Sequence, residues 1–223
     1  MIYRGREKDM AEKALEKKKQ KREALLNAAF ELFSINGVTD TSIAGIAERA
    51  SVAKGTFYLY FKDKYDSHRH LIAHKASAIF RRAKAEIEAQ IMSKEGGVNP
   101  SDFSLEDKII LLSDNIISQL QEDPSLLRFI SKNLSWGIFK SELIESRDPE
   151  DVDFASIVHE AIDASPVKYR DPEVMIYMII ELLGSTCYSA ILYGEPLTAA
   201  QLKPYLFDAI RAVMHSMEEK GES

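Results

Sequence analysis

The chain has 223 residues, 45% apolar and 29% charged, with a formal net charge of −6. That balance supports one large or two small soluble domains, and Cys187 as the only cysteine leaves no disulfide framework and no four-cysteine zinc site, which fits a reducing cytoplasm. The net charge hides an asymmetry that favours a polyanion partner at one end: residues 1–75 hold fifteen Lys/Arg against ten Asp/Glu, a formal +5, and residues 76–223 hold fourteen against twenty-five, a formal −11.

Residues 1–19 form a basic N-terminal arm, rich in Arg, Lys, Glu and Ala, expected to start frayed and become helical near Ala11. The opening MIYRGREKDM lacks the apolar stretch of a signal peptide. Lys17–Lys18–Lys19 and Lys21–Arg22 read either as a solvated helix face or as phosphate contacts, and the motif that follows favours the second. Leu25, Leu26, Ala29, Phe30, Leu32 and Phe33 give the first helix its buried stripe, and Asn36-Gly37 is its expected stop.

From Thr41 to Lys64 the chain packs two short helices and a tight turn. Ile43, Ile46, Ala47 and Ala50 recur at helical spacing behind Thr41-Ser42, and Val52 leads into a second short helix over about residues 54–60. Two helices joined by about four residues make a helix-turn-helix, whose second helix enters a DNA major groove. Thr41, Ser42, Lys54, Gly55, Thr56, Tyr58 and Tyr60 are the candidate DNA-binding residues, among which Lys54 offers a cation and Thr56, Tyr58 and Tyr60 offer hydroxyl groups. Tyr58 and Tyr60 can pack or face DNA; Phe57 and Phe61 already take the inward positions, which turns the tyrosine hydroxyls outward. Ala44 offers only a methyl contact, and Lys62 and Lys64 read as surface lysines or as phosphate contacts.

A long helix is expected over 66–94, with Leu71, Ile72, Ala76, Ile79, Phe80, Ala83, Ile87 and Ile91 as its apolar face, ended by the breakers Gly96-Gly97 and Asn99-Pro100. Asp66, His70 and His74 stack at four-residue spacing; one helix alone makes a poor metal site, so a solvated polar face is the better reading and no metal or other cofactor is expected. Helices follow over 105–121, 124–136 and 137–146, with Ser104 and Asp123-Pro124 as caps, then a polar break at 147–151 and another helix over 152–163.

The segment 174–193 is nearly continuous apolar sequence of membrane-span length, but Glu181 near its middle and Ser185, Thr186 and Ser189 after it favour a helix buried on all sides of a soluble protein. Cys187 within it reads as a small buried hydrophobe. The last helix, about 198–217, carries an apolar stripe wider than one packing contact requires. Ile180, Gly184, Leu206, Ile210, Val213 and Met217 are therefore the candidate homodimer interface, each open to a monomer-core explanation. No strand-like alternation, nucleophile–base set or glycine-rich phosphate loop appears, so the expected fold is all-α with about nine or ten helices and no enzymatic activity is expected.

Thr41, Ile46, Ala47, Ala50, Val52, Gly55, Thr56, Tyr58, Tyr60, Phe61 and Lys64 match the helix-turn-helix pattern of the tetracycline-repressor (TetR) family, which the chain resembles over about a fifth of its length. Two departures fall in the turn: Ser51 stands where the family usually has Gly, and Ala53 where it usually has a capping Ser. The resemblance implies a helix-turn-helix DNA-binding domain over 20–65 and a helical ligand-binding and dimerisation domain over 66–223, dimerising through its last two helices. It assigns Lys64 a phosphate contact. It also implies a small-molecule pocket, for which Phe129, Asn133, Trp136, Phe139, His159, Tyr177, Glu181 and Tyr188 are the candidates. The function so implied is a ligand-responsive repressor that binds a pseudo-palindromic operator as a homodimer; the alternative is a helical ligand-binding or interaction protein whose specific DNA binding is weak or lost.

Overall fold

A computed structural model describes residues 2–93, 103–133 and 160–219. Among these the fold is helical: α1 (Ile2–Asp40), α2 (Ile43–Arg49), α3 (Lys54–Phe57), α4 (Lys64–Ser93), α5 (Leu105–Glu122), α6 (Pro124–Asn133), α7 (Pro172–Leu192) and α8 (Ala199–Ser216). The expected helices over 137–146 and most of 152–163, and the breaker at 96–100, lie outside the described residues. The chain divides into two compact units, residues 1–72 and 73–223.

In the first unit, α1 begins at Ile2, so the arm is not a frayed lead-in but helix from its start. Its Ala, Glu, Lys and Arg content is that of good helix formers, and Gln20 bonds Glu16 one turn back at 3.2 Å. Residues 12–20 are exposed along the whole stretch, and burial starts at Arg22. Leu25, Leu26, Ala29 and Phe33 are then buried on the expected stripe. Regular winding ends at Gly37, whose φ of 75° is left-handed, and a further turn to Asp40 follows it. Ile46 and Ala47 of α2, Phe57 of α3, Phe61, and Leu71 and Ile72 of α4 complete this core.

Helix α4 starts at Lys64 because Asp63 accepts from the Tyr65 and Asp66 amides, both at 2.8 Å. Asp66 in turn accepts from the Lys62 amide at 2.9 Å and holds Arg69 at 2.9 Å, which leaves His70 3.9 Å from it. Ser67 is fully buried in the next turn, and its hydroxyl donates to the Lys64 carbonyl at 2.8 Å, so the buried polar group is satisfied.

The second unit is built on α5, α7 and α8. Helix α5 opens on a capping box between Ser104 and Asp107, and α8 on one between Thr198 and Gln201. Ile117, Met175, Ile179, Cys187, Leu206, Ile210 and Met214 share one apolar core. Burial holds the Cys187 thiol up at about 11, so it is an inert core group at neutral pH.

Two expectations change here. Helix α7 is long and apolar enough to cross a membrane by length and composition, yet it is not buried on all sides. Met175, Ile179, Cys187 and Ala190 are buried, whereas Val174, Tyr177, Glu181, Gly184 and Ser185 face outward on the chain's surface. Leu206, Ile210 and Met217, expected at a subunit interface, lie instead in the chain's own core at 3%, 0% and 7% exposure. The stripe on α8 is wide because it packs on both α7 and α5. Ile180 and Val213 are half-buried beside that core, and of the interface candidates only Gly184 is fully outward.

Candidate nucleic-acid interface

Ser42 caps α2: it is extended (φ −97°, ψ 148°) and its Oγ accepts from the Gly45 amide at 3.0 Å. At the other end of α2 the chain leaves by a Schellman motif. The Val52 amide donates to the Ala47 carbonyl and the Ser51 amide to the Glu48 carbonyl, both at 2.9 Å, with Ser51 left-handed at φ 56°. That is the position where glycine is favoured, so the serine carries backbone strain. Ala53 then occupies the N-cap of α3 with no side-chain hydrogen bond, and only the backbone bond from the Thr56 amide to the Ala53 carbonyl (2.8 Å) starts the helix.

Packing of aromatics holds this short helix in place. Phe57 is fully buried, with its ring 5.4 Å from that of Phe61, and Phe61 in turn lies 5.6 Å from the His70 imidazole. With both phenylalanines inward, Lys54, Gly55, Tyr58 and Leu59 are turned outward, Tyr58 at 52% and Leu59 at 77% exposure. Regular helix ends at Phe57, earlier than the expected 54–60, but the Leu59 and Tyr60 amides donate to the Thr56 and Phe57 carbonyls at 3.2 and 3.0 Å and prolong the winding as a turn.

The outward face contains a shallow, open depression of about 420 Å³ lined by Thr39, Asp40, Thr41, Ser42, Ile43, Ala44, Lys54, Tyr58 and Lys64. It brings together five of the eight candidate DNA-binding residues, from the end of α1, the start of α2, α3 and the start of α4. Thr56 and Tyr60 are half-buried beside it, and Gly55 is exposed on α3.

Two candidates have other duties than those expected. Thr41 is 4% exposed, and its hydroxyl donates to the Gly37 carbonyl at 2.7 Å, with the Leu32 carbonyl 3.3 Å away. It ties off the end of α1, so its side chain is not free to meet DNA. Lys64 is not a free surface cation: its Nζ donates to the carbonyls of Thr39 and, at 3.2 Å, Thr41. An ammonium has three donors, so one remains for an anion in the depression. Arg49, by contrast, is bound to Glu31 of α1 at the unit's surface.

Sequence reasoning passed over Leu59. The available signal was its place between Tyr58 and Tyr60, four residues after Gly55 and off the Phe57–Phe61 spacing.

Of the ligand-pocket candidates, Trp136, Phe139 and His159 lie outside the described residues, as does the side chain of Asn133. Phe129 on α6 is buried at 5% exposure, Tyr177 and Glu181 are exposed on α7, and Tyr188 is half-buried with its ring 6.1 Å from that of Tyr193.

Comparison with known proteins bears on the same segment. The family described as bacterial regulatory proteins, tetR family, matches residues 25–66. The fatty acid metabolism regulator protein of Bacillus subtilis is 33% identical over 81 residues, 36% of this chain and 42% of its own. The HTH-type transcriptional regulator AcrR of Shigella flexneri is 42% identical over 57 residues, 26% of each chain. The HTH-type transcriptional repressor KstR of Rhodococcus jostii is 28% identical over 114 residues, 51% of this chain and 47% of its own. The chain thus spans about half or less of the length of the curated relatives it matches.

Solved structures extend the likeness in fold to most of the chain. A tetR family protein from Shewanella sp. PV-4 superposes with a TM-score of 0.60 at 16% identity, covering 90% of this chain and 99% of its own. FadR of Bacillus subtilis, solved in complex with stearoyl-CoA, gives a TM-score of 0.53 at 21% identity, covering 86% and 98%. Residues 25–66 thus match the tetR family of bacterial regulatory proteins, and the helical fold of the chain is similar to that of solved tetR family proteins.

Proposed function

We propose that the chain is a cytoplasmic, ligand-responsive transcriptional repressor that binds a pseudo-palindromic DNA operator as a homodimer, one α3 helix per half-site. The observation that carries this reading is the outward depression of the first unit. It gathers the capped start of α2 at Ser42, the Tyr58 hydroxyl and the cations Lys54 and Lys64 on one face, beside an α3 whose Gly55 and Leu59 also point out. Hydroxyls and cations position a phosphate backbone, and the exposed flank of α3 is left for base edges. Lys17, Lys18, Lys19 and Lys21 on the exposed stretch of α1 add phosphate contacts. In a two-fold dimer the α3 helices then lie roughly 34–36 Å apart, one DNA turn, or a multiple of it.

The dimer contact proposed is the outward face of α7 around Tyr177 and Gly184, with the exposed Tyr205 of α8. The effector pocket is proposed for the second unit, and α4, which contributes residues to both units, is the element through which occupancy reaches the reading head. A coupling of about 1–3 kcal/mol is enough to change operator affinity roughly 5- to 150-fold. Stearoyl-CoA, held by FadR of Bacillus subtilis, is the first effector to try.

The test is electrophoretic mobility of genomic fragments with the full chain, at low salt and with or without long-chain acyl-CoA. A sequence-specific shift is expected. Its absence under all conditions would favour the second reading, a helical ligand-binding or interaction protein; the strained Ser51 and uncapped Ala53 are the features that point toward it.

A further inference from the structure

The outward edge of α3 carries two residues that the chain's own stability does not explain. Gly55 has an ordinary helical backbone, and a Cβ built on it would meet no atom within 4 Å. Neither a turn nor a close neighbour in the chain requires glycine there, and glycine weakens a helix relative to alanine. Leu59, one turn later, is 77% exposed, the second most exposed large apolar side chain described, after Ile35 at 80%. Both lie two residues from Phe57, on either side of it, and so turn away from the face on which Phe57 is buried. The pair is a gap in the helix surface followed by an apolar knob, flanked by the polar Lys54 and Tyr58.

We propose that Leu59 reads the 5-methyl group of a thymine in each operator half-site, and that Gly55 is glycine so that the base pair can approach the α3 backbone. This rests on the DNA-binding reading above. A leucine offers neither donor nor acceptor, and the thymine methyl is the one apolar feature that a major groove presents. Contact between them removes from water a side chain that gains nothing from its exposure in the free protein. Lys54 and Tyr58 beside it hold the backbone phosphates and set the register at which the methyl meets Leu59.

The experiment starts from the duplex that the full-length chain enriches from a random-sequence DNA pool. Each thymine is then replaced in turn by deoxyuridine, which removes only the methyl group. One replacement per half-site is expected to weaken binding about four-fold, the effect of losing one buried methyl. For Leu59→Ala the same replacement is expected to have no effect, with melting temperature and salt slope unchanged from the parent chain. Gly55→Ala is expected to raise the melting temperature while weakening the selected duplex, opposite directions that a purely structural glycine does not produce. The assignment is overturned if no deoxyuridine replacement affects the parent chain on a duplex it selects, or if Leu59→Ala keeps the full deoxyuridine penalty. If no duplex is enriched even at low salt, the DNA-binding reading itself fails, and this inference with it.

Discussion

Ser51 and Ala53 sit side by side in the turn, and each lacks what its position calls for. The left-handed Ser51 at φ 56° suits glycine, and the N-cap at Ala53 suits a hydroxyl. Ser51→Gly and Ala53→Ser are each expected to stabilise the first unit by about 1 kcal/mol, read as a higher denaturant midpoint. Destabilisation by both would mean that the turn is misassigned. Lys64 has two duties: its ammonium holds the carbonyls of Thr39 and Thr41 and has a donor to spare. Lys64→Ala should therefore lower the melting temperature and weaken binding to all DNA sequences similarly, with the salt slope reduced by about one. A lower melting temperature with an unchanged slope would leave Lys64 as a structural tie alone.

At the level of elements, α4 and α5 meet through a polar seam. Gln119 is 6% exposed and donates to the Ile79 carbonyl at 3.0 Å and to the Asn115 side chain at 2.7 Å; Asn115 donates to Glu86, which also receives Arg82 at 2.8 Å. These bonds, Asn115 first and Arg82 second, hold the Glu86 carboxyl below its ordinary range. A carboxylate depressed in the folded state contributes stability that is complete above its unfolded value, roughly pH 4.3, and is lost as pH falls through the lower folded value. Glu86→Gln should thus be less stable than the parent at neutral pH and converge with it in acid. A constant difference from neutral pH down to about pH 3 would assign the effect to packing, since the carboxyl would then have no depressed value to lose.

For the whole molecule, the division of α7 and α8 into core and surface separates two kinds of substitution. Ile210 is fully buried in the chain's own core, so Ile210→Ala should cost about 2–5 kcal/mol of stability whatever the oligomeric state. Gly184 is exposed, with no atom near an added Cβ, so Gly184→Arg should leave the fold of one chain intact. In the proposed dimer it places a charged side chain where two helices approach. Light scattering is expected to report a dimer for the parent and a monomer for Gly184→Arg, with helical content unchanged. A dimer in both would move the interface away from this face of α7.

Much of this protein follows from local pattern. The stripe from Leu25 to Phe33, the inward pair Phe57 and Phe61, the caps at Ser42, Ser104 and Thr198, and the misfit of Ser51 and Ala53 depend on residues within a turn or two of one another. Helical spacing and cap chemistry make such features legible in the sequence. What only the tertiary structure decided is how residues far apart share space. Whether Leu206, Ile210 and Met217 face a partner or their own core depends on where α5 and α7 lie, and whether Thr41 and Lys64 are free depends on the carbonyls at the end of α1. An apolar stripe records that something covers it, and a polar side chain that something bonds it. Neither records which, because burial and hydrogen bonding are properties of the packed neighbours and not of the residue.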